Sequence, residues 1–499
     1  MAKTLRQLTL VQRSFVASSE NLGRRVVNGA TFTFLGIAIR TGITVTSMAI
    51  LARLLTPADF GHIAMATVVT ELAALFSNFG FGSILVQRSR ISRIQMDTMF
   101  WAALGLGVLL TGVVFGTSLV AAEIFNDELV GALLQVLCLS FIFEELTVVP
   151  RSLMARMMMF REDFWVQVWT LLIRTVTAVL IAGYGYGVWS LVFGGLVGVV
   201  FQAIAYTYFI GYRPRFRFSR IFLTSTWRTN GGYFGNGILF YLNSNLDLFL
   251  VGRLLGATSL GYYQNARSLT DEVRVRMVQP LQRVLFPAFS AIQNEHERFR
   301  AGILRSGRLL AVVFMPVGFG MAAVAQELVP LLYGAQWLAM IPILQVISIG
   351  SGFSAAGSVA TPIFNATDRV GLSFKWHFAM TVIATLTTLG GAYWGVLGVA
   401  YSKLLMALVW LLFLRLSFSL VDLGWQHLWS IVGSPFIISL LMWGAIEAAR
   451  GSVYEAVSGL PGRFACLVAV GAVVYIIGAF VVCRDHVRDA TMAVSKFRN

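Results

Sequence analysis

The chain alternates long apolar runs with short polar segments. Runs of spanning length fall at roughly 30–52, 60–87, 99–122, 128–150, 166–184, 187–210, 229–251, 262–290, 307–326, 338–364, 374–394, 396–418, 428–447 and 464–483. Each is close to the ~20 residues with which an α-helix crosses a hydrocarbon core of ~30 Å. The pattern predicts an all-α polytopic membrane protein of about fourteen transmembrane helices.

Composition agrees. Of 499 residues, 57% are hydrophobic and 12% charged, with a mean hydropathy of +0.76, whereas a soluble chain is about 25% charged. The net charge of +15 raises nucleic acid as a partner, but the basic residues lie in clusters between the apolar runs, which is the signature of membrane orientation instead. Counting both termini, 27 of the 38 Lys and Arg fall on one side. Four (Arg53, Arg253, Arg450, Arg463) fall on the other, and seven (Arg40, Arg174, Arg267, Arg274, Arg276, Arg283, Lys403) lie within spans. The acidic loop Glu123, Asp127, Glu128 is on the side poor in basic residues. Both termini are therefore expected in the cytoplasm. Residues 1–28 lack the apolar stretch of a signal peptide, so the first span is expected to direct its own insertion. Cys138, Cys466 and Cys483 all sit in apolar runs, which argues against a disulfide framework or a metal site. No metal or other cofactor is expected.

The chain also repeats. Arg53-Leu-Leu-Thr-Pro-Ala-Asp-Phe-Gly61 matches Arg253-Leu-Leu-Gly-Ala-Thr-Ser-Leu-Gly261 at an offset of 200, and the same offset places Glu71 on Asp271. Leu133-Leu-Gln-Val-Leu137 resembles Ile343-Leu-Gln-Val-Ile347 at 210, and Gly187-Val188 resembles Gly395-Val396 at 208. Two parallel six-helix halves follow, related by an axis along the membrane normal. The expected organisation is a basic N-terminal segment (1–28), an N-lobe (29–210), a basic cytoplasmic linker (211–228), a C-lobe (229–418), an appended helix pair (428–483) and a cytoplasmic tail (484–499).

Asn245-Leu-Asp-Leu-Phe-Leu-Val-Gly-Arg-Leu-Leu-Gly-Ala-Thr-Ser-Leu-Gly-Tyr-Tyr263, followed by Arg283-Val-Leu-Phe-Pro-Ala-Phe-Ser290, resembles the polysaccharide-transport branch of the multidrug/oligosaccharidyl-lipid/polysaccharide exporters. These are Wzx-type flippases of the colanic-acid and teichuronic-acid exporter kind. Ala52-Arg-Leu-Leu-Thr-Pro-Ala-Asp-Phe-Gly61 resembles the end of their first helix. The resemblance implies a flippase in the bacterial inner membrane that moves undecaprenyl-diphosphate-linked oligosaccharide units for exopolysaccharide, capsule or O-antigen assembly. It also implies membrane lipids, a polysaccharide polymerase and a chain-length regulator as partners.

Charges at membrane depth are costly and usually face a protein interior or a watery cavity. The stretch 240–293 gathers Arg267, Asp271, Glu272, Arg274 and Arg276 in ten residues and reads as one wall of a translocation cavity. Arg267, Asp271 and Arg274 share one helical face, while Glu272, Arg276 and Arg283 lie nearly opposite. Arg40, Arg174, Arg267, Arg274 and Lys403 are the candidate substrate-binding residues, since a cationic excess suits an anion and arginine grips phosphate bidentately. Glu71 and Asp271 are the coupling or gating candidates. Structural pairing of the same cations with Glu71 or Asp271 is the alternative. Tyr233, Tyr241, Tyr262, Tyr263 and Trp376 are candidates for stacking on sugars, but interface anchoring explains such residues better. Glu144 and Glu145 fall near the cytoplasmic end of the fourth span and read as interfacial.

Three other functions fit the chain less well. A cation-coupled multidrug exporter of the same superfamily would favour a cavity dominated by carboxylates. A membrane glycosyltransferase or polymerase would need a sizeable extracytoplasmic loop with catalytic residues, and the longest here, 447–463, holds only Glu447, Arg450, Glu455 and Arg463. No Gly-x4-Gly-Lys-Ser/Thr nucleotide loop occurs, so the chain is expected not to be an enzyme and not to draw on ATP. A scaffold for polysaccharide assembly would have no use for charges at the membrane midplane.

Overall fold

In hydrocarbon every backbone N–H and C=O needs an internal partner, and a helix supplies them within one segment. The computed structural model describes residues 36, 39–77, 81–88, 91–292, 295–360, 363–364 and 369–482, with backbone alone for 81, 83, 87, 225–237, 240, 272–288, 290, 291 and 370. These residues form helices α1 (described over 39–54), α2 (Pro57–Ser77), α3 (Phe81–Gln87), α4 (Arg93–Phe125), α5 (Glu128–Leu137), α6 (Ser140–Arg156), α7 (Phe160–Gly183) and α8 (Trp189–Ile210). They continue as α9 (Arg220–Ala291), α10 (His296–Ala323), α11 (Ala325–Leu332), a 3₁₀ turn (Ala335–Met340), α12 (Ile341–Gly357), α13 (Val370–Ala392), α14 (Gly395–Ser419), α15 (Trp425–Ala456) and α16 (Leu460–Val482). Among the described residues, ten helical segments are long and apolar enough to cross a membrane. Helix α1, the two arms of α9 and α13 bring the set to the fourteen spans expected.

The chain divides into two compact units, Met1–Tyr241 and Leu242–Asn499. The division falls within the seventh expected span, and the last two helices belong to the second unit. In the first unit, helices approach closely over glycine: Gly107 of α4 lies against the Phe141 carbonyl of α6, and Gly194 and Gly198 of α8 lie against Arg174 and Ala178 of α7. Such notches let membrane helices gain contact without a hydrophobic driving force between them. In the second unit Gly318 of α10 meets Ser348 and Gly352 of α12, and Gly307 of α10 meets Ile431 of α15. Helix α16 packs Gly471 and Gly478 on Ile446 and Ile438 of α15, and its Tyr475 hydroxyl donates to the Val312 carbonyl of α10 at 2.8 Å. The terminal pair is thus part of that unit's core.

The repeat is visible in the backbone. Residues 51–61 and 251–261 both break a helix at the same place, and three buried positions correspond: 51, 52 and 61 against 251, 252 and 261. The means differ. In the first unit Thr56 caps α2: the Asp59 amide donates to Thr56 Oγ1 at 3.3 Å and the Thr56 amide to Asp59 Oδ2 at 2.8 Å, a reciprocal cap followed by Pro57 at the first helical position. In the second unit the corner is Gly256, at φ 79° and ψ 176°, a conformation open to glycine alone at little cost. The Gly187 and Gly395 pair also corresponds, with φ 52° and 71° at the turns into α8 and α14.

Candidate functional site

The break at Gly256 folds the two arms of α9 together, so that residues far apart along one helix meet. Asp247, on the first arm, is 6% exposed. Arg267 Nη1, from the second arm, lies 3.1 Å from Asp247 Oδ1. Lys403 Nζ, from α14, lies 2.8 Å from Oδ2, and the Tyr263 hydroxyl donates to Oδ2 at 2.7 Å. Arg267 also reaches Asp271 Oδ2 with Nε at 3.3 Å and donates to the Ser244 carbonyl. Two cations thus balance two carboxylates around one buried oxygen pair. Such a pair is stabilised only when its remaining donors and acceptors are satisfied, and here Tyr263 and the Ser244 carbonyl contribute to that.

Sequence reasoning brought Arg267, Lys403 and Asp271 forward as site residues, and the structure gathers all three. It missed Asp247, the common partner of the two cations. The signal was present: a lone carboxylate in the apolar run 240–251 needs a partner at that depth. The side chain of Arg274 lies outside the described residues.

The first unit is arranged differently. Arg40, half-buried on α1, donates from Nε to the Gly36 carbonyl at 3.1 Å and from Nη1 to Gln167 Oε1 on α7. Gln167 donates to Asp163 Oδ2 at 2.5 Å, and the Tyr206 hydroxyl to Asp163 Oδ1 at 2.6 Å. Arg40 therefore meets a neutral amide, with the carboxylate one step further. Arg174, near the middle of α7, lays its aliphatic stem across Gly198 and is exposed. Among the described residues it has no carboxylate partner. Glu71 is exposed on α2, within electrostatic reach of Tyr241.

The aromatic candidates are mostly occupied. The Tyr241 hydroxyl donates to the Val68 carbonyl, and Tyr263 is bound to Asp247. Trp376 stacks on Phe413 at 5.5 Å, and Phe413 on Phe364 at 4.9 Å. Tyr262 donates to the Gln336 carbonyl at 3.3 Å. The side chain of Tyr233 lies outside the described residues. Glu145 corrects its interfacial reading: it is 1% exposed, with Cγ over Gly107. The sequence reading ended that span at Pro150, but proline is tolerated inside α6, which runs on to Arg156. Packing in membranes re-satisfies the groups that proline frees, and Glu145 consequently lies about eleven residues, ~16 Å, from the helix end.

Residues 50–342 match the family model described as polysaccharide biosynthesis protein. The chain belongs to this family. Within the polysaccharide biosynthesis proteins it is similar to the lipopolysaccharide biosynthesis protein WzxC of Escherichia coli (strain K12), 26% identical over 78% of this chain and 80% of the relative. It is also similar to the succinoglycan biosynthesis transport protein ExoT of Rhizobium meliloti (strain 1021), 25% identical over 80% and 79%. Among solved structures, the lipid II flippase MurJ in an inward closed conformation superposes with a TM-score of 0.72 at 15% identity, over 92% of this chain and all (100%) of that one. This member of the polysaccharide biosynthesis family thus has the MurJ fold, a multi-pass membrane architecture.

Proposed function

We propose that the chain is a flippase that moves polyprenyl-diphosphate-linked oligosaccharide units across the bacterial inner membrane by alternating access, with both termini in the cytoplasm. Family membership, the names of its relatives and the fold support this reading. The observation that carries it is Arg174, an arginine without a carboxylate partner among the described residues, in the middle of a helix long and apolar enough to cross a membrane. An uncompensated charge at that depth is expensive unless it serves a ligand or faces water. A planar bidentate donor suits the diphosphate or acidic sugars of such a substrate. Arg40, which meets neutral acceptors among the described residues, is the second binding residue. Arg274 contributes further positive charge, Arg267 and Lys403 contribute donors whose charge Asp247 and Asp271 already balance, and Glu71 and Asp271 are the coupling candidates. The chain acts as a transporter, not an enzyme, and hands its cargo to a polymerase and chain-length regulator.

Deletion of the gene tests this directly. Lipid-linked oligosaccharide should accumulate in the inner membrane while polymer at the cell surface disappears, and the intact gene should reverse both. If polymer is lost with no lipid-linked intermediate accumulating, the step lies earlier than transport and the reading fails.

A further inference from the structure

The connection between α8 and α9 carries Tyr-Arg-Pro-Arg-Phe-Arg-Phe-Ser-Arg from Tyr212 to Arg220. One edge of this strap is pinned to the start of α4. The Tyr212 hydroxyl donates to Asp97 Oδ1 at 2.6 Å and the Arg215 amide to the same oxygen at 3.3 Å. The Ser219 amide donates to Thr98 Oγ1 at 3.0 Å, and the Trp101 indole to the Arg215 carbonyl at 2.9 Å. Asp97 and Thr98 are fully buried, so the strap rests on side chains that are themselves fixed. The Phe216 ring lies over Trp101 at 4.2 Å.

The other edge is open. Arg213, Arg215, Arg217 and Arg220 are exposed, and among the described residues none is paired with a carboxylate. Phe216 is 89% exposed, Phe218 51% and Ile221 84%. Helix α4 has 33 residues, which at ~1.5 Å each makes it ~20 Å longer than a hydrocarbon core of ~30 Å. The apolar run expected to span, 99–122, leaves residues 93–98 of the helix on the headgroup side, with Trp101 near the boundary that tryptophan favours. The strap runs at this level. Guanidinium and phenyl groups alternate along it, which matches a layer of phosphates over acyl chains.

We propose that residues 211–221 form a binding site for anionic phospholipid in the leaflet they face, which the charge asymmetry makes the cytoplasmic one. Arg213, Arg215 and Arg217 hold headgroup phosphates, and Phe216, Phe218 and Ile221 enter the acyl boundary. A strap exposed only to water has no use for three large apolar side chains, and a purely apolar anchor has no use for four arginines. The proposal does not depend on what the chain transports.

The test uses the purified full chain, delipidated and titrated with phosphatidylglycerol or phosphatidylcholine, with bound lipid counted by native mass spectrometry. The triple variant Arg213→Gln, Arg215→Gln, Arg217→Gln leaves every hydrogen bond of the strap in place. It should lose about tenfold or more in phosphatidylglycerol affinity and keep its phosphatidylcholine binding. Phe216→Ser with Phe218→Ser should weaken both lipids. Phosphatidylglycerol binding by the unaltered chain should also fall as salt rises, since exposed charges are screened within ~3 Å at 1 M salt. Phosphatidylglycerol binding unchanged in the triple variant, or indifferent to salt, overturns the proposal. So does a triple variant that loses farnesyl diphosphate while retaining phosphatidylglycerol, because the strap would then serve a diphosphate ligand.

Discussion

At the position of Asp247 in the second unit, the repeat offset of 200 places Ser47 in the first, and at that of Arg267 it places Thr67. At the 208 offset, Lys403 corresponds to Gly195. The exchange runs both ways: Arg40 of the first unit falls on Phe240 of the second, and Arg174 falls on Val382. Ser47 accepts a hydrogen bond from Thr175 at 3.1 Å, where Asp247 holds two cations. Two halves with the same helix breaks therefore carry different electrostatics. In the second unit Arg267 and Lys403 are balanced and fixed around Asp247 and Asp271. In the first, no carboxylate among the described residues pairs directly with Arg40 or Arg174. A repeat conserves backbone corners because caps and glycines act locally, while its charges are free to diverge so long as each half settles the desolvation cost in its own way.

The sharpest way to break this comparison is to remove Asp247. Asp247→Ala leaves Arg267 and Lys403 close together without their shared counterion, and loss of one partner of a buried pair costs about 3–5 kcal/mol. The folded protein should fall steeply in abundance, and what remains should melt well below the parent in detergent. Adding Arg267→Met and Lys403→Met should recover much of the loss, because the unpaired charges go too. An Asp247→Ala protein that melts like the parent would mean the second unit is not built on this cluster.

Arg174 gives the next effect, and it should fall on transport. Arg174→Ala should keep normal abundance and melting. It should reduce export by about tenfold or more, as expected from losing a charged hydrogen bond of about 1.5–3 kcal/mol. Arg174→Lys should recover only part, since the ammonium keeps the charge and loses the fork. Accumulated lipid-linked oligosaccharide in complemented deletion cells is the readout. Normal export by Arg174→Ala would remove the first unit's claim to the substrate.

The smallest effects concern the two corners. Thr56→Ala loses a cap and should cost about 1 kcal/mol. Gly256→Ala places a side chain at positive φ and should cost about 1–3 kcal/mol, although a Cβ there meets nothing within 4 Å. Melting curves of the two variants should separate in that order. Reversal would show that the corners are held by packing and not by local backbone chemistry.

The number of spans, the repeat and both corners were legible in the chain itself, because each depends on residues that are neighbours in sequence. A run of ~20 apolar residues crosses a bilayer whatever surrounds it, and Thr56 caps a helix through Asp59, three positions on. Arg267 with Asp271 was likewise a local pair, four residues apart on one helical face. Tertiary structure decided which charges are spent within the protein. Asp247 meets Arg267 only because α9 folds at Gly256, and it meets Lys403 only because α14 packs beside it; helical periodicity says which face a residue is on and nothing about what that face meets. Glu145 shows the same limit. Proline marks a helix end from local chemistry, but the surrounding helices kept α6 intact through Pro150 and carried a carboxylate into the core.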